Sequence, residues 1–161
     1  MSRRVKPASD PREATPGEVQ QIALGLLARR EHSVLELRHK LQHRGLPAEV
    51  VEEVLEHLCA ENWLSDARFA ELYAATRTDK GYGPLRIRSE LRQRGVEDVL
   101  IERALGELEE YWSRRLAEVT IKKFGSRTPK DFDQRARWTR FLRQRGFSLE
   151  QIGRLFRDDE V

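Results

Sequence analysis

His39 and His43 stand four residues apart, the separation that brings two imidazoles to one helix face and could let them share a metal ion. Neither belongs to a His-Glu-x-x-His motif and no clear Cys, Asp or Glu partner completes a ligand set, so both read as surface residues. His57 and Cys59 are two apart and point to different helix faces, which argues against a thiolate pair and makes Cys59 a small packing residue. Gly81-Tyr82-Gly83 lacks the Lys-Ser/Thr of a phosphate loop and reads as a linker into a helix opened by Pro84. These readings lead to a non-enzymatic protein with no metal and no cofactor.

Arginine offers a different chemistry. Arg86, Arg88, Arg92 and Arg94 fall within nine residues, and the stretch from Gln134 to Leu149 carries five arginines and no acid. The segments between are acidic: residues 49–61 hold five Glu and no Lys or Arg, and residues 97–110 hold six acids against Arg103. On a helix, Trp138 and Leu142 fall on one side and Arg137, Arg140 and Arg143 on the other, while Arg88 and Arg92 lie beyond the apolar edge formed by Ile87 and Leu91. Arg88, Arg92, Arg137, Arg140 and Arg143 are therefore the candidate partner-binding residues, a basic stripe suited to an acidic protein groove or a phosphate backbone. The competing reading is a solvated face paired with neighbouring Glu. Trp63, Trp112, Trp138, Phe69, Tyr73, Tyr111, Phe124 and Phe141 read as core rather than as base-stacking platforms.

Composition limits the classes further. Of 161 residues, 39% are hydrophobic and 35% charged, and a net charge of +3 is too mild to require a nucleic-acid partner. The longest purely apolar-and-Gly run, Ile22 to Ala28, is far short of the roughly 20 residues that span a bilayer. Pro7 to Gln21 supplies no apolar segment for a secretory signal, and a single Cys agrees with a reducing compartment; a cytoplasmic location without membrane attachment is expected.

The elements that position the arginines come from an internal repeat. Leu41-Gln42-His43-Arg44-Gly45-Leu46 recurs as Leu91-Arg92-Gln93-Arg94-Gly95-Val96 and as Leu142-Arg143-Gln144-Arg145-Gly146-Phe147, with the glycines 50 and 51 residues apart. Val51, Ile101 and Ile152 then correspond, as do Val54, Ala104 and Leu155, and Leu55, Leu105 and Phe156. Each unit reads as a helix ending at Arg-Gly, a tight turn and a second helix, preceded by a returning helix. The Gly is expected at positive φ and the Arg at the negative end of the helix dipole. The period is near 3.6 throughout, so the expected fold is all-α, with nine helices at about 16–30, 34–44, 47–61, 66–78, 84–94, 97–110, 112–124, 131–145 and 148–157. Thr15 with Glu18 and Ser33 with Glu36 form capping boxes, Ser148 with Gln151 repeats the signal, and Pro47 reads as a first-turn residue. The expected organisation is a disordered tail at 1–15, three-helix repeats at 16–62, 63–110 and 111–157 stacked as an elongated curved array, and an acidic tail at 158–161.

Leu64-Ser65-Asp66-Ala67-Arg68-Phe69-Ala70, followed by Tyr73, Arg77, Gly81, Ile87-Arg88-Ser89-Glu90-Leu91 and Arg94-Gly95-Val96, resembles the RecX family of bacterial recombinase regulators. Phe141-Leu142-Arg143-Gln144-Arg145-Gly146-Phe147 and Ile152 extend the resemblance through the third unit, so that it spans about residues 18 to 156. It implies three tandem three-helix repeats and a cytoplasmic protein that binds the RecA filament along its helical groove and inhibits its strand exchange, ATP hydrolysis and coprotease activity; a monomer is expected. The alternative is a helical nucleic-acid-binding module. Base-specific reading is disfavoured, because the second helix of each Arg-Gly pair in the first two units is acidic and would repel phosphates, although weak backbone binding by the arginine helices remains open. If the units are linked in series, small-angle scattering should give a radius of gyration above the ~15 Å of a compact domain of this length.

Overall fold

A computed structural model describes residues 13–158, and most of the two expected tails therefore lies outside the described residues. Among the described residues there are nine α-helices and no strand. The chain divides after Ser65 into two compact units.

The first unit holds α1 (Pro16–Leu27), α2 (Val34–His43) and α3 (Ala48–Ala60). Thr15 accepts from the Glu18 N–H while the Glu18 carboxylate takes the Thr15 N–H, and Ser33 and Glu36 do the same for α2, so both helices start where orphan N–H groups find partners. Val19, Ala23, Leu37, Leu41, Val51, Val54, Leu55 and Leu58 are buried together. Ala14, which falls within the expected tail, packs on this core as well. The first helix stops at Leu27 rather than near residue 30, because the chain turns to bury His32, whose Nδ1 lies 3.0 Å from the Arg30 carbonyl and whose Nε2 lies 2.8 Å from Lys40 Nζ. Pro47 is the residue capping α3 and not part of its first turn.

Two packing expectations fail at the end of α3. Cys59 is exposed, since Leu55 and Leu58 occupy the inward face and leave it outside. Trp63 is 60% exposed: Asn62 takes the left-handed conformation at φ 59°, and the turn delivers Leu64 to the core and Trp63 to solvent.

The second unit holds α4 (Asp66–Asp79), α5 (Pro84–Gln93), α6 (Asp98–Gly106), α7 (Glu109–Phe124), α8 (Phe132–Arg145) and α9 (Leu149–Asp158). The second and third repeats share one continuous core, which runs from Phe69, Ile87, Leu91 and Ile101 through Trp112 and Leu116 to Trp138, Leu142, Phe147 and Phe156. Phe124 stacks on Trp138 at 4.4 Å between centroids and meets Phe141 edge-on at 5.5 Å. Tyr111, by contrast, lies outside this core and is exposed, because α7 starts three residues earlier than expected and turns Trp112 inward in its place. The repeat correspondence holds in burial, for Leu41, Leu91 and Leu142 are each fully buried, as are Val51 and Ile101, with Ile152 at 2%.

A main-chain seam fastens α5 to the end of α8. The Gly83 N–H donates to the Arg145 carbonyl at 2.7 Å and the Leu85 N–H to the Gly146 carbonyl at 3.0 Å, while Arg86 Nη1 reaches the Gln144 carbonyl at 3.2 Å. Orphan donors at one helix start thus meet orphan acceptors at another helix end, and Pro84, between the two donors, has no N–H to leave unpaired. The approach leaves no room for side chains: a Cβ on Gly83 would stand 2.5 Å from the Gly146 carbonyl carbon, and one on Gly146, which has φ +102°, would stand 2.4 Å from Arg86 Cβ. Gly81-Tyr82-Gly83 is therefore a structural junction as well as a linker.

Tyr82 and Glu90 complete the junction. Arg77, Arg86 and Arg145 lie over the Tyr82 ring at 3.8, 4.4 and 4.9 Å from its centroid. Glu90 accepts from Arg77 Nη2 at 2.6 Å and Nε at 2.8 Å, from the Tyr73 hydroxyl at 2.7 Å and from Arg86 Nε at 3.1 Å. Burial pushes the Glu90 carboxyl up, but these donors outweigh it and hold its pKa at about 2, while burial and the bond to Glu90 push the Tyr73 phenol up to about 12.

Replacing Gly83 with Ala should destabilise the protein by about 1–3 kcal/mol through backbone overlap. Gly25, which has open space around its Cβ position in α1, should instead gain about 0.5–1 kcal/mol on replacement by Ala. Urea melts of the two variants should move in opposite directions. Glu90→Gln should lower stability at neutral pH by about 1.5–3 kcal/mol, the scale of lost charge-assisted hydrogen bonds. Because the folded carboxyl titrates below its ordinary value of 4.5, the stabilisation from Glu90 is complete above that pH and is lost as the pH falls towards 2. Wild type and variant should therefore converge in stability across that window, and melts at a series of acid pH values check it.

Candidate partner-binding site

The five candidate arginines come from two repeat-equivalent helices. α5 carries Arg88 and Arg92, and α8 carries Arg137, Arg140 and Arg143, in each case outside the face that buries Ile87 and Leu91 or Trp138 and Leu142. The helices meet end to end at the seam, yet no hydrogen bond or ion pair joins the two rows among the described residues. Their surroundings also differ.

On α5 the guanidiniums are occupied. Arg88 forms a two-point bond to Glu102 of α6, with Nε–Oε1 at 2.6 Å and Nη2–Oε2 at 3.1 Å, and Arg92 Nε donates to Asp98 Oδ1 at 2.8 Å. The bond to Arg88 lowers the Glu102 pKa and raises that of Arg88 itself, and the bond to Arg92 lowers that of Asp98. The first repeat has the same device fifty residues earlier: Arg38 holds Glu52 through Nε–Oε1 at 2.5 Å and Nη2–Oε2 at 3.2 Å. For this half of the predicted stripe, the pairing with neighbouring acids describes the geometry.

On α8 the three candidate guanidiniums are open. Arg137, Arg140 and Arg143 are exposed, and none makes an ion pair among the described residues. Applying the 51-residue register, the position of Glu102 is taken by Gly153 and that of Asp98 by Leu149, while Thr139 stands for Arg88 and Arg143 for Arg92. The acid nearest the start of α9, Glu150, bonds Arg154 of its own helix instead. Ala136, Thr139, Arg140, Arg143 and Gln144 line a shallow concavity along the outer face of α8. The segment from 121 to 149 has nine Lys and Arg against Asp131 and Asp133, so the field around α8 is strongly positive although the chain carries only +3.

The histidines do not form a site. His39 and His43 are exposed, and among the described residues no group of three His, Cys, Asp or Glu is arranged to hold a metal ion. No helix among the described residues is long and apolar enough to cross a membrane. Sequence reasoning missed the Tyr73–Arg77–Glu90–Tyr82–Arg145 junction. Its local signal, Tyr73 with Arg77 and Arg86 with Glu90 at four-residue spacing, fixes which helix face each pair shares but not that the pairs converge.

Comparison with known proteins agrees with this geometry. The chain matches the family models described as RecX, first three-helix domain, over residues 21–58; second three-helix domain, over 65–105; and third three-helix domain, over 109–156. Regulatory protein RecX of Pseudomonas entomophila (strain L48) is 49% identical over 141 residues, covering 88% of this chain and 91% of that protein. The Pseudomonas syringae pv. tomato protein of the same description is 46% identical with the same coverage. The crystal structure of RecX from Lactobacillus salivarius shares the fold at a TM-score of 0.77 and 21% identity, over 91% of this chain and 97% of that one. With three consecutive domain matches, close relatives along most of its length and an all-α repeat fold in common, the chain belongs to the RecX family of regulatory proteins.

Proposed function

We propose that this protein is a non-enzymatic cytoplasmic regulator of homologous recombination, DNA repair and the SOS response, which binds the RecA recombinase filament and inhibits its strand exchange, ATP hydrolysis and coprotease activity. Membership in the RecX family supports the partner. The observation that carries the reading is the row of exposed arginines on α8, with no acid of the described chain bonded to it. A filament ligand needs a charged surface and no catalytic pocket, and a monomer can supply that surface. Arg137, Arg140 and Arg143 are the proposed contacts. Arg88 and Arg92 join them when a partner's groups displace Glu102 and Asp98, an exchange that is easy because exposed pairs contribute only about 0–1 kcal/mol.

The second reading, phosphate-backbone binding, draws support from the nine basic residues between 121 and 149. It is weakened by the acids of α3 and α6, which would repel a continuous phosphate track.

Changing Arg88, Arg92, Arg140 and Arg143 together to Ser should leave the fold intact, because Arg94 and Arg145, which serve the core junction, are untouched. The concentration needed to halve the recombinase ATPase rate on single-stranded DNA should rise by at least ~tenfold, the equivalent of losing one good charged contact. Unchanged inhibition by the folded variant would remove the arginines from the mechanism.

A further inference from the structure

Among the described residues His32 is the one titratable side chain that is buried, at 1% exposure in the turn between α1 and α2. Both ring nitrogens are engaged, Nδ1 at 3.0 Å from the Arg30 carbonyl and Nε2 at 2.8 Å from Lys40 Nζ. An ammonium can only donate, so Nε2 is the acceptor and Nδ1 carries the proton given to the carbonyl. The arrangement has no place for a second proton. A ring protonated at Nε2 as well would face the Lys40 ammonium as a buried cation with one N–H unsatisfied.

The contact is joined to the start of α2. Arg30, whose carbonyl receives the His32 N–H, donates Nη1 to the Glu31 carbonyl at 2.8 Å and to Glu36 Oε2 at 3.0 Å, and Glu36 in turn accepts the Ser33 N–H as half of the capping box. Burial, the largest effect, and the charges of Arg30 and Lys40 lower the His32 pKa below 6.5, against the opposing pull of the Arg30 carbonyl and the Glu36 carboxylate. Fifty residues later the same two positions are Tyr82 and Glu90. There the Glu90 carboxyl and the Tyr73 phenol bonded to it titrate at about 2 and about 12, far to either side of neutrality. All four histidines of the chain, His32, His39, His43 and His57, lie in the first unit and none in the second.

We infer that the His32–Lys40 contact is a proton-operated latch on the first repeat, holding the turn between α1 and α2 closed while the imidazole is neutral and releasing it when the ring takes up a proton. The second unit has no counterpart. Because the folded pKa of His32 is depressed, its contribution to stability is complete above 6.5 and is lost as the pH falls below that value through the folded one. The first unit should therefore loosen in mild acid, above the range where carboxylates titrate, while the second stays closed. This goes beyond the filament-binding reading and does not depend on it.

Native-state hydrogen exchange of the full chain, followed by mass spectrometry between pH 7.5 and 5.5 and corrected for the intrinsic rate at each pH, reads both units in one molecule. Exchange in α1 and α2 relative to α5 and α7 should rise by about tenfold over that range, as for a group that binds its proton chiefly after the turn has opened. His32→Gln keeps one donor and one acceptor without the titration, and should hold the ratio within about twofold. Lys40→Glu, on an exposed side chain, installs the residue type that the second repeat has at this position and should likewise flatten the profile to within about twofold, since a carboxylate offers the protonated ring a charged acceptor. The triple variant His39→Gln/His43→Gln/His57→Gln should keep the wild-type profile. Imidazole nitrogen spectra at pH 7.5 should show the His32 proton on Nδ1.

A wild-type ratio that does not change with pH would overturn the latch, as would a proton on Nε2 in the neutral ring. A rise that survives in Lys40→Glu would take Lys40 out of the mechanism, and a rise lost in the triple variant would assign the proton to a surface histidine; either result rejects the inference, and both can be read even if His32→Gln does not fold.

Discussion

The second and third repeats depend on the backbone contact between Gly83–Leu85 and Arg145–Gly146. Two helix ends carry partial charges of opposite sign and unpaired main-chain groups, and here they satisfy each other directly, N–H to carbonyl at 2.7 and 3.0 Å. Bonds so close to the axis of both helices require two residues without Cβ, one on each side of the seam. Arg145, the last residue of α8, then uses its guanidinium for Tyr82 and Phe141, which ties the same junction through side chains. With its end pinned and Trp138 and Leu142 locked in the core, α8 has one orientation available, and its arginine row faces outward as a consequence.

The Glu90 cluster completes this constraint from within the second repeat. One carboxylate accepts from two arginines and a phenol, and all three donors reach it from α4 and α5. Arg94, at the close of α5, returns to the Glu90 carbonyl at 2.9 Å and covers the Tyr73 ring. These arginines are fixed by partly buried partners, whereas Arg137, Arg140 and Arg143 of α8 make no ion pair among the described residues. The distinction between a structural and an available guanidinium therefore lies in what faces it, not in its place along the helix.

Much of this was readable in the residues. The Arg-Gly turns do carry left-handed glycines, at φ +78°, +77° and +102°, because a helix that must end and reverse within two residues has few other ways to do so. Capping boxes at Thr15 and Ser33 and the Ser148–Gln151 exchange are local and were visible as spacing. The seam was not, since Gly83 and Gly146 are far apart in sequence and each looks like an ordinary turn residue on its own. Trp63 and Cys59 misled for a related reason: helical periodicity cannot register a turn, and the left-handed Asn62 decides that Leu64 and not Trp63 enters the core. The paired state of Arg88 could have been anticipated, because Arg38–Glu52 and Arg88–Glu102 share one spacing that the third repeat lacks.

That missing pair shows how a repeat protein can change its surface charge with little loss of stability. An exposed ion pair contributes about 0–1 kcal/mol, so a repeat with Thr139 and Gly153 in place of Arg88 and Glu102, and Leu149 in place of Asp98, keeps a fold nearly as stable. The apolar positions that hold the repeat together stay buried in all three copies, and the helix that carries the arginines is held at its end by backbone bonds that do not depend on surface charge. Removing the acids therefore changes what the surface attracts and leaves the frame intact. In the first two repeats Arg38, Arg88 and Arg92 pair with acids of the chain itself, and in the third Arg137, Arg140 and Arg143 make no ion pair among the described residues, because Leu149 and Gly153 stand where the acids would be.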